Sequence, residues 1–175
     1  MPLSSNPIAL DRLADPSSRV RVAAARIGQG LFARGPFDVG EPILKLAGRV
    51  VNYEVLWERG GRFLDNCIRF GPETYLDPGD GVGRYVNHSC EPNAAIHKWR
   101  NQLFLIAARR IRRGNELVFD YSTTIGDDDI WTMRCDCGAH DCRKRIKRFG
   151  SLAPELQRRY REQGLVPKYI LETLR

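Results

Sequence analysis

The sequence predicts a mainly β domain with short helices and a helical C-terminal tail. Three features predict it: short runs rich in β-branched residues, their frequent punctuation by Gly and Pro, and helical periodicity confined to the end of the chain. Residues 1–17, rich in Ser, Pro and Asp, form a lead-in. Arg19 to Ile27 (RVRVAAARI) and Pro42 to Val51 (PILKLAGRVV) read as strands bounded by Gly and Pro. Ala94 to Trp99 and Gln102 to Ala107 read as two strands of a hairpin turning at Arg100-Asn101. Glu116 to Tyr121 (ELVFDY) is a further short strand, led in by Gly114. Beyond residue 149 a start signal at Ser151, Pro154 and Glu155 precedes apolar positions Leu156, Tyr160, Ile170, Leu171 and Leu174.

At 175 residues, 42% hydrophobic and 28% charged, the chain has the composition of one globular domain with a short appendage. No apolar run approaches the ~20 residues of a membrane span, and residues 1–15 lack a secretory signal pattern. No membrane partner is expected. Five cysteines, an odd number, with three clustered at Cys135, Cys137 and Cys142, point to metal in a reducing, intracellular setting before disulfides. The charge is uneven. Residues 1–142 hold 18 basic and 18 acidic side chains, whereas residues 143–175 hold 10 and 3 and so carry the whole net charge of +7. That segment is read as a solvated helix face or as a surface for an acidic partner, including nucleic acid. Arginine outnumbers lysine 23 to 5, as in proteins of GC-rich genomes, which favours a bacterial source.

Four local patterns carry chemistry. Gly28-Gln29-Gly30 allows a tight turn and close backbone approach. Read as a dinucleotide fingerprint it needs a helix to open there, and Arg34-Gly35-Pro36 forbids one. Arg84-Tyr85-Val86-Asn87-His88-Ser89-Cys90-Glu91-Pro92-Asn93 packs an amide, an imidazole, a hydroxyl and a thiol into consecutive positions. No base-orienting residue makes His88 and Cys90 a nucleophilic pair. Cys135, Cys137 and Cys142, spaced C-x-C-x4-C, suit three corners of a zinc tetrahedron with ~2.3 Å bonds. The fourth ligand is Cys90, His140 or, more distantly, His97. Phe119-Asp120-Tyr121 alone reads as ordinary strand.

Taken in order, these pieces resemble the SET-domain protein-lysine methyltransferases with a cysteine-rich post-SET tail. The resemblance spans about residues 18–148 and rests above all on the run Arg84 to Asn93, with Gly114 to Tyr121 and Cys135 to Cys142 downstream. It implies the mainly β SET fold with a C-terminal pseudoknot, a SET domain at 18–125, a post-SET zinc segment at 131–148, and a basic helical tail at 149–175. It implies S-adenosylmethionine as cofactor, held by Gly28, Gln29, Gly30, Arg84, Asn87, His88 and Asp136, on one side. The lysine of a protein substrate enters from the other side, between Tyr85, Phe119 and Tyr121. It makes Tyr121 catalytic and Cys90 the fourth ligand of one structural zinc, with Cys135, Cys137 and Cys142, leaving Cys67 as the free thiol. A Phe at 119 implies room for di- or trimethylation. Cys67, Asn115 and Lys144 depart from residues common in the family.

The other reading is a catalytically silent, zinc-stabilised scaffold that binds protein or nucleic acid through its basic tail. Intact Tyr121, Asn87 and His88 speak against it. A zinc finger-like nucleic-acid module lacks the required helix and spacing. The substrate is expected to be a histone or another protein, and the expected location is the cytoplasm, or a nucleus (a host's, if the source is bacterial) if histones are the substrate.

Overall fold

The computed structural model describes residues 18–58 and 65–174, and for Trp57 the backbone only; the lead-in expected at 1–17 lies outside them. The chain forms twelve short strands among the described residues, with three short α-helices and several 3-10 turns. β1 (Val20–Ala24) and β2 (Gln29–Ala33) make an antiparallel hairpin whose turn closes through Ala25 N–H on the Gly28 carbonyl, 3.0 Å. Gly28 sits at φ +59, a conformation that glycine adopts without steric cost.

The expected strand at 42–51 is two strands. β3 (Pro42–Leu46) joins a three-stranded antiparallel sheet with β9 (Gln102–Ala107) and β8 (Ala94–Trp99), while β4 (Arg49–Asn52) joins another with β6 (Thr74–Asp77) and β5 (Ile68–Arg69). The chain changes sheets at Ala47-Gly48. A Cβ on Gly48 would stand 2.2 Å from the Asp77 carbonyl oxygen, so only glycine fits the crossing. α1 (Tyr53–Glu58) follows β4. The β8–β9 hairpin falls where the sequence puts it. Arg100 and Asn101 take φ 42 and 59, the two positive values of the turn whose twist matches the strands it joins.

β7 (Asn87–His88) pairs in parallel with β10 (Val118–Phe119), with Asn87 opposite Val118 and His88 opposite Phe119. Of the strand expected at 116–121, only these two residues pair in this ladder. Glu116 bridges Phe32, and a 3-10 turn begins at Tyr121. Near the thiols, β11 (Met133–Arg134) pairs with β12 (Arg145–Ile146).

The expected C-terminal helices are α2 (Pro154–Glu162) and α3 (Lys168–Leu171). They close the main core. Phe149, Tyr160 and Ile170 lie fully or almost fully buried among Leu31, Ile96, Leu105 and Leu117, and Leu156, Leu171 and Leu174 pack against that cluster. Burying one such side chain contributes about 1.5–3 kcal/mol. The basic side chains Lys144, Arg145, Lys147, Arg148, Arg158, Arg159 and Arg161 are exposed. The segment is therefore amphipathic, with its apolar residues built into the domain. Among the described residues, no helix is long and apolar enough to cross a membrane.

Candidate active site and metal centre

The parallel β7–β10 ladder is the frame of the site, and asparagines lock it. Asn93 receives Val118 N–H on its side-chain oxygen, 3.0 Å, and donates from Nδ2 to the Glu116 carbonyl, 2.7 Å. Asn87 Nδ2 donates to the Gln29 carbonyl, 2.9 Å, and to Glu116 Oε1, 2.8 Å. One amide thus ties the Gly28–Gly30 turn to the strand that leads to Tyr121. The contact needs a glycine, since a Cβ on Gly30 would lie 2.4 Å from Glu116 Oε1.

Two cavities flank this ladder. A first cavity of about 300 Å³ is lined by Val86, Phe119 and Tyr121, and by Cys67, Ile68, Ile125 and Trp131. A second, of about 490 Å³, is lined by Asn87, His88 and Val118, together with Arg26, Glu116 and Gly138. Val86 and Phe119 of the first are sequence neighbours of Asn87 and Val118 of the second.

Tyr121 stands in the first cavity with its ring 4.8 Å from Phe119 and 6.5 Å from Trp131, centroid to centroid. Its hydroxyl donates to the Val86 carbonyl at 2.9 Å, which leaves the oxygen lone pairs unused. Burial, with the nearby Glu116 carboxylate, pushes its phenol well above the ordinary tyrosine range. Tyr121 is thus a fixed, neutral hydroxyl. The cavity also contains carboxylates that the sequence did not single out. Asp65 accepts from Trp131 Nε1 at 2.8 Å, and Asp129 bonds the buried Arg69 at 2.8 Å and accepts from the Tyr75 hydroxyl.

The thiols of Cys90, Cys135, Cys137 and Cys142 converge in a second small core with Ile125 and Ile146. Cys90 and Cys135 sulfurs are 3.8 Å apart and Cys135 and Cys142 sulfurs 3.6 Å. A tetrahedron with ~2.3 Å zinc–sulfur bonds has an edge of about 3.8 Å, so the spacing suits such an ion. Burial raises the Cys90 and Cys135 thiols. Cys137 is lowered despite burial, because backbone N–H groups of Cys90 and Ala139 bond its sulfur.

His88 is also close enough to be a ligand, grouping with Cys90, Cys135 and Cys137 within 4.8 Å. Its hydrogen bonds favour the thiol instead. His88 Nδ1 accepts the Tyr121 N–H at 3.1 Å, so the neutral ring carries its proton on Nε2, which faces Cys90 Sγ at 3.4 Å. In that tautomer Nε2 is not a metal donor, and Cys142, whose sulfur lies 3.6 Å from that of Cys135, is a further donor beside the group. Burial, only partly offset by Asp120, holds the imidazole down to about 4, in its neutral form. His140, an alternative ligand in the sequence, is 94% exposed and pairs with Asp141.

Other expected site residues lie as follows. Gly28 lies in the β1–β2 turn and Gln29 opens β2, where its carbonyl accepts from Asn87. Arg84 lines the first cavity, not the second, and bonds the Gly79 carbonyl at 3.2 Å. Asp136 pairs with Arg134 at 3.0 Å, and its carbonyl accepts from Arg26 Nε at 3.2 Å, beside the second cavity. Tyr85 ends a 3-10 turn and packs against the core between the lining residues Arg84 and Val86, and is itself no part of the wall. Glu116 was within the motif, yet its role shows only in its bond to Asn87. Arg69, Tyr75 and Asp129 carry no sequence signal of a site.

Residues 28–122 match the family model described as the SET domain. Human histone-lysine N-methyltransferase 2B is 35% identical over 130 residues, 67% of this chain and 5% of that protein. Human histone-lysine N-methyltransferase 2D is 31% identical over 140 residues, 73% of this chain and 2% of that protein. The chain therefore spans only a small fraction of these relatives. Among solved structures, KRYPTONITE in complex with mCHH DNA, an H3(1-15) peptide and SAH superposes with TM-score 0.57 at 25% identity, over 73% of this chain and 29% of that one. Arabidopsis thaliana SUVH6 in complex with SAM shares the fold, with TM-score 0.61 at 21% identity over 73% of this chain and 33% of that one. With its mainly β architecture, its Asn87–Tyr121 frame and its Cys/His cluster, the chain belongs to the SET-domain family.

Proposed function

We propose that this chain is a protein-lysine N-methyltransferase in which the second cavity holds S-adenosylmethionine and the first admits the substrate lysine. The observation that carries this reading is the pair of cavities that flank the β7–β10 ladder, with Tyr121 lining the first. The volume and mixed polar lining of the second cavity suit a small zwitterionic ligand. Asn87, His88, Arg26 and the Gly138 segment would hold it. When bound, S-adenosylmethionine supplies a sulfonium-activated methyl group.

The residues of the chain do the rest by positioning. A lysine must attack as the neutral amine, whose reference pKa is ~10.4, and an apolar wall lowers that value. Val86, Phe119, Ile68 and Ile125 supply such a wall, while Asp65 and Asp129 attract the incoming cation. The Tyr121 hydroxyl, held by Val86, presents the negative end of its dipole and orients the amine. Its raised pKa makes it a fixed dipole and not a base. Zinc on the four thiols would hold residues 135–142 beside the second cavity. The relatives' names point to histone lysines as substrates and hence to a nucleus. The exposed basic residues of 143–175 would meet an acidic partner.

The test is incubation of the purified chain with methyl-labelled S-adenosylmethionine and lysine peptides, including an H3 tail. Label on lysine supports the reading. Cofactor binding without transfer to any peptide or protein would favour the silent scaffold.

A further inference from the structure

We infer that the C-terminal segment 149–174 is a brace that fixes the two walls of the first cavity, with Tyr160 and Tyr169 as its positioning residues; this rests on the lysine-channel reading of that cavity. The segment lies beyond the family-matched residues 28–122. From it, two buried phenols reach two separate stretches of the wall, at Phe119–Tyr121 and at Ile68–Arg69. Tyr160, 2% exposed, donates to Asp120 Oδ2 at 2.9 Å, and Asp120 sits between Phe119 and Tyr121. Tyr169, 8% exposed, donates to the Arg69 carbonyl at 2.6 Å, between Ile68 and Phe70.

Each hydroxyl meets a point from which further bonds spread. Asp120 is 1% exposed, and its other oxygen takes Ser122 N–H at 3.0 Å and Arg143 at 2.7 Å. Tyr160 is thus the donor to the one oxygen that these two leave over, and that oxygen has no access to water in compensation. Arg69 lines the cavity and pairs with Asp128 at 2.6 Å and Asp129 at 2.8 Å, on the loop that carries Trp131. The same loop is tied to the brace directly. Thr173 Oγ1 accepts Asp127 N–H at 3.0 Å, and Phe149 N–H bonds the Ile125 carbonyl at 3.0 Å. A phenylalanine at 160 or 169 would bury the same ring, so the hydroxyls add alignment of two walls and not apolar burial.

The experiment compares wild type with Tyr160→Phe, Tyr169→Phe and the double variant by residue-resolved amide hydrogen exchange and by steady-state kinetics. The expected result is exchange on the order of tenfold faster or more at 119–125 in Tyr160→Phe and at 68–71 in Tyr169→Phe, since each loses a buried hydrogen bond. Exchange in β8 and β9 stays unchanged, which also shows that the variants fold. Turnover falls in each, further in the double variant, while KM for S-adenosylmethionine holds. Wild-type exchange at both walls would overturn the brace. So would an equal acceleration throughout β8 and β9, or unaltered turnover despite local loosening. A wild-type chain without transferase activity would overturn the channel reading instead, leaving the exchange data to decide whether the segment braces the cavity.

Discussion

Tyr121 gives its hydroxyl proton to the carbonyl of Val86, 2.9 Å away, and its backbone N–H to Nδ1 of His88, 3.1 Å away. Both acceptors belong to the 84–93 run, which the parallel β7–β10 pairing sets beside Tyr121. The aim of one side chain thus depends on a long-range strand pairing.

Replacing Tyr121 by Phe removes the hydroxyl and keeps the ring between Phe119 and Trp131. Methyl transfer should fall by about a hundredfold or more, the scale of losing one aligned dipole at the reacting centre. Binding of S-adenosylmethionine, read by calorimetry, should survive because Tyr121 lines the other cavity. Loss of cofactor binding in this variant would remove the role given to Tyr121.

Alkaline stability offers a check on burial. Tyr75, Tyr121, Tyr160 and Tyr169 all have phenols raised above their ordinary value, with burial the largest cause. Their folded pKa exceeds the unfolded value of ~10, so the stabilisation is complete below about pH 10 and lost as pH rises toward the folded pKa. Urea midpoints should hold between pH 8 and about 10 and fall above it. The Tyr169→Phe variant should flatten the fall.

The fourth metal ligand can be decided by counting metal per chain. If the proton sits on His88 Nε2, Cys142→Ser and Cys90→Ser should each lose the ion, and His88→Ala should retain it. Elemental analysis of chains purified with zinc gives the count. Retention by Cys142→Ser with loss by His88→Ala would make the site Cys3His.

Arg69 has a side chain only 1% exposed and joins two carboxylates, Asp128 and Asp129. Removing one partner of a buried pair leaves charge without compensation, which costs about 3–5 kcal/mol. Asp128 is half exposed, so Arg69→Met should fall at the lower end, about 3 kcal/mol by chemical denaturation. Arg69→Met combined with Asp129→Asn should recover part of the loss. A change below about 0.5 kcal/mol, the level of a surface substitution, would show the network to be ornamental.

The site was legible in the sequence where its chemistry is local. The run 84–93, the spacing of Cys135, Cys137 and Cys142, and the motif around Phe119 to Tyr121 each lie within about ten residues. Arg69 was not, because a lone arginine between apolar residues resembles any strand position. Its meaning comes from carboxylates 59 and 60 residues away. Tyr160 was read as apolar helix face, which is correct for its ring and silent about its hydroxyl.

By itself the sequence determined the mainly β class, the hairpin at Arg100-Asn101, the thiol cluster and the helical end of the chain. Periodicity, turn chemistry and ligand spacing act over a few residues, so composition and order are enough to express them. Tertiary structure alone decided that the strand at 42–51 breaks at Gly48, where Asp77 crowds it. It also decided that Arg84 and Asn87 serve different cavities, and that the basic tail is half core. Each of these turns on contact between segments tens of residues apart, and only the packed chain sets such distances.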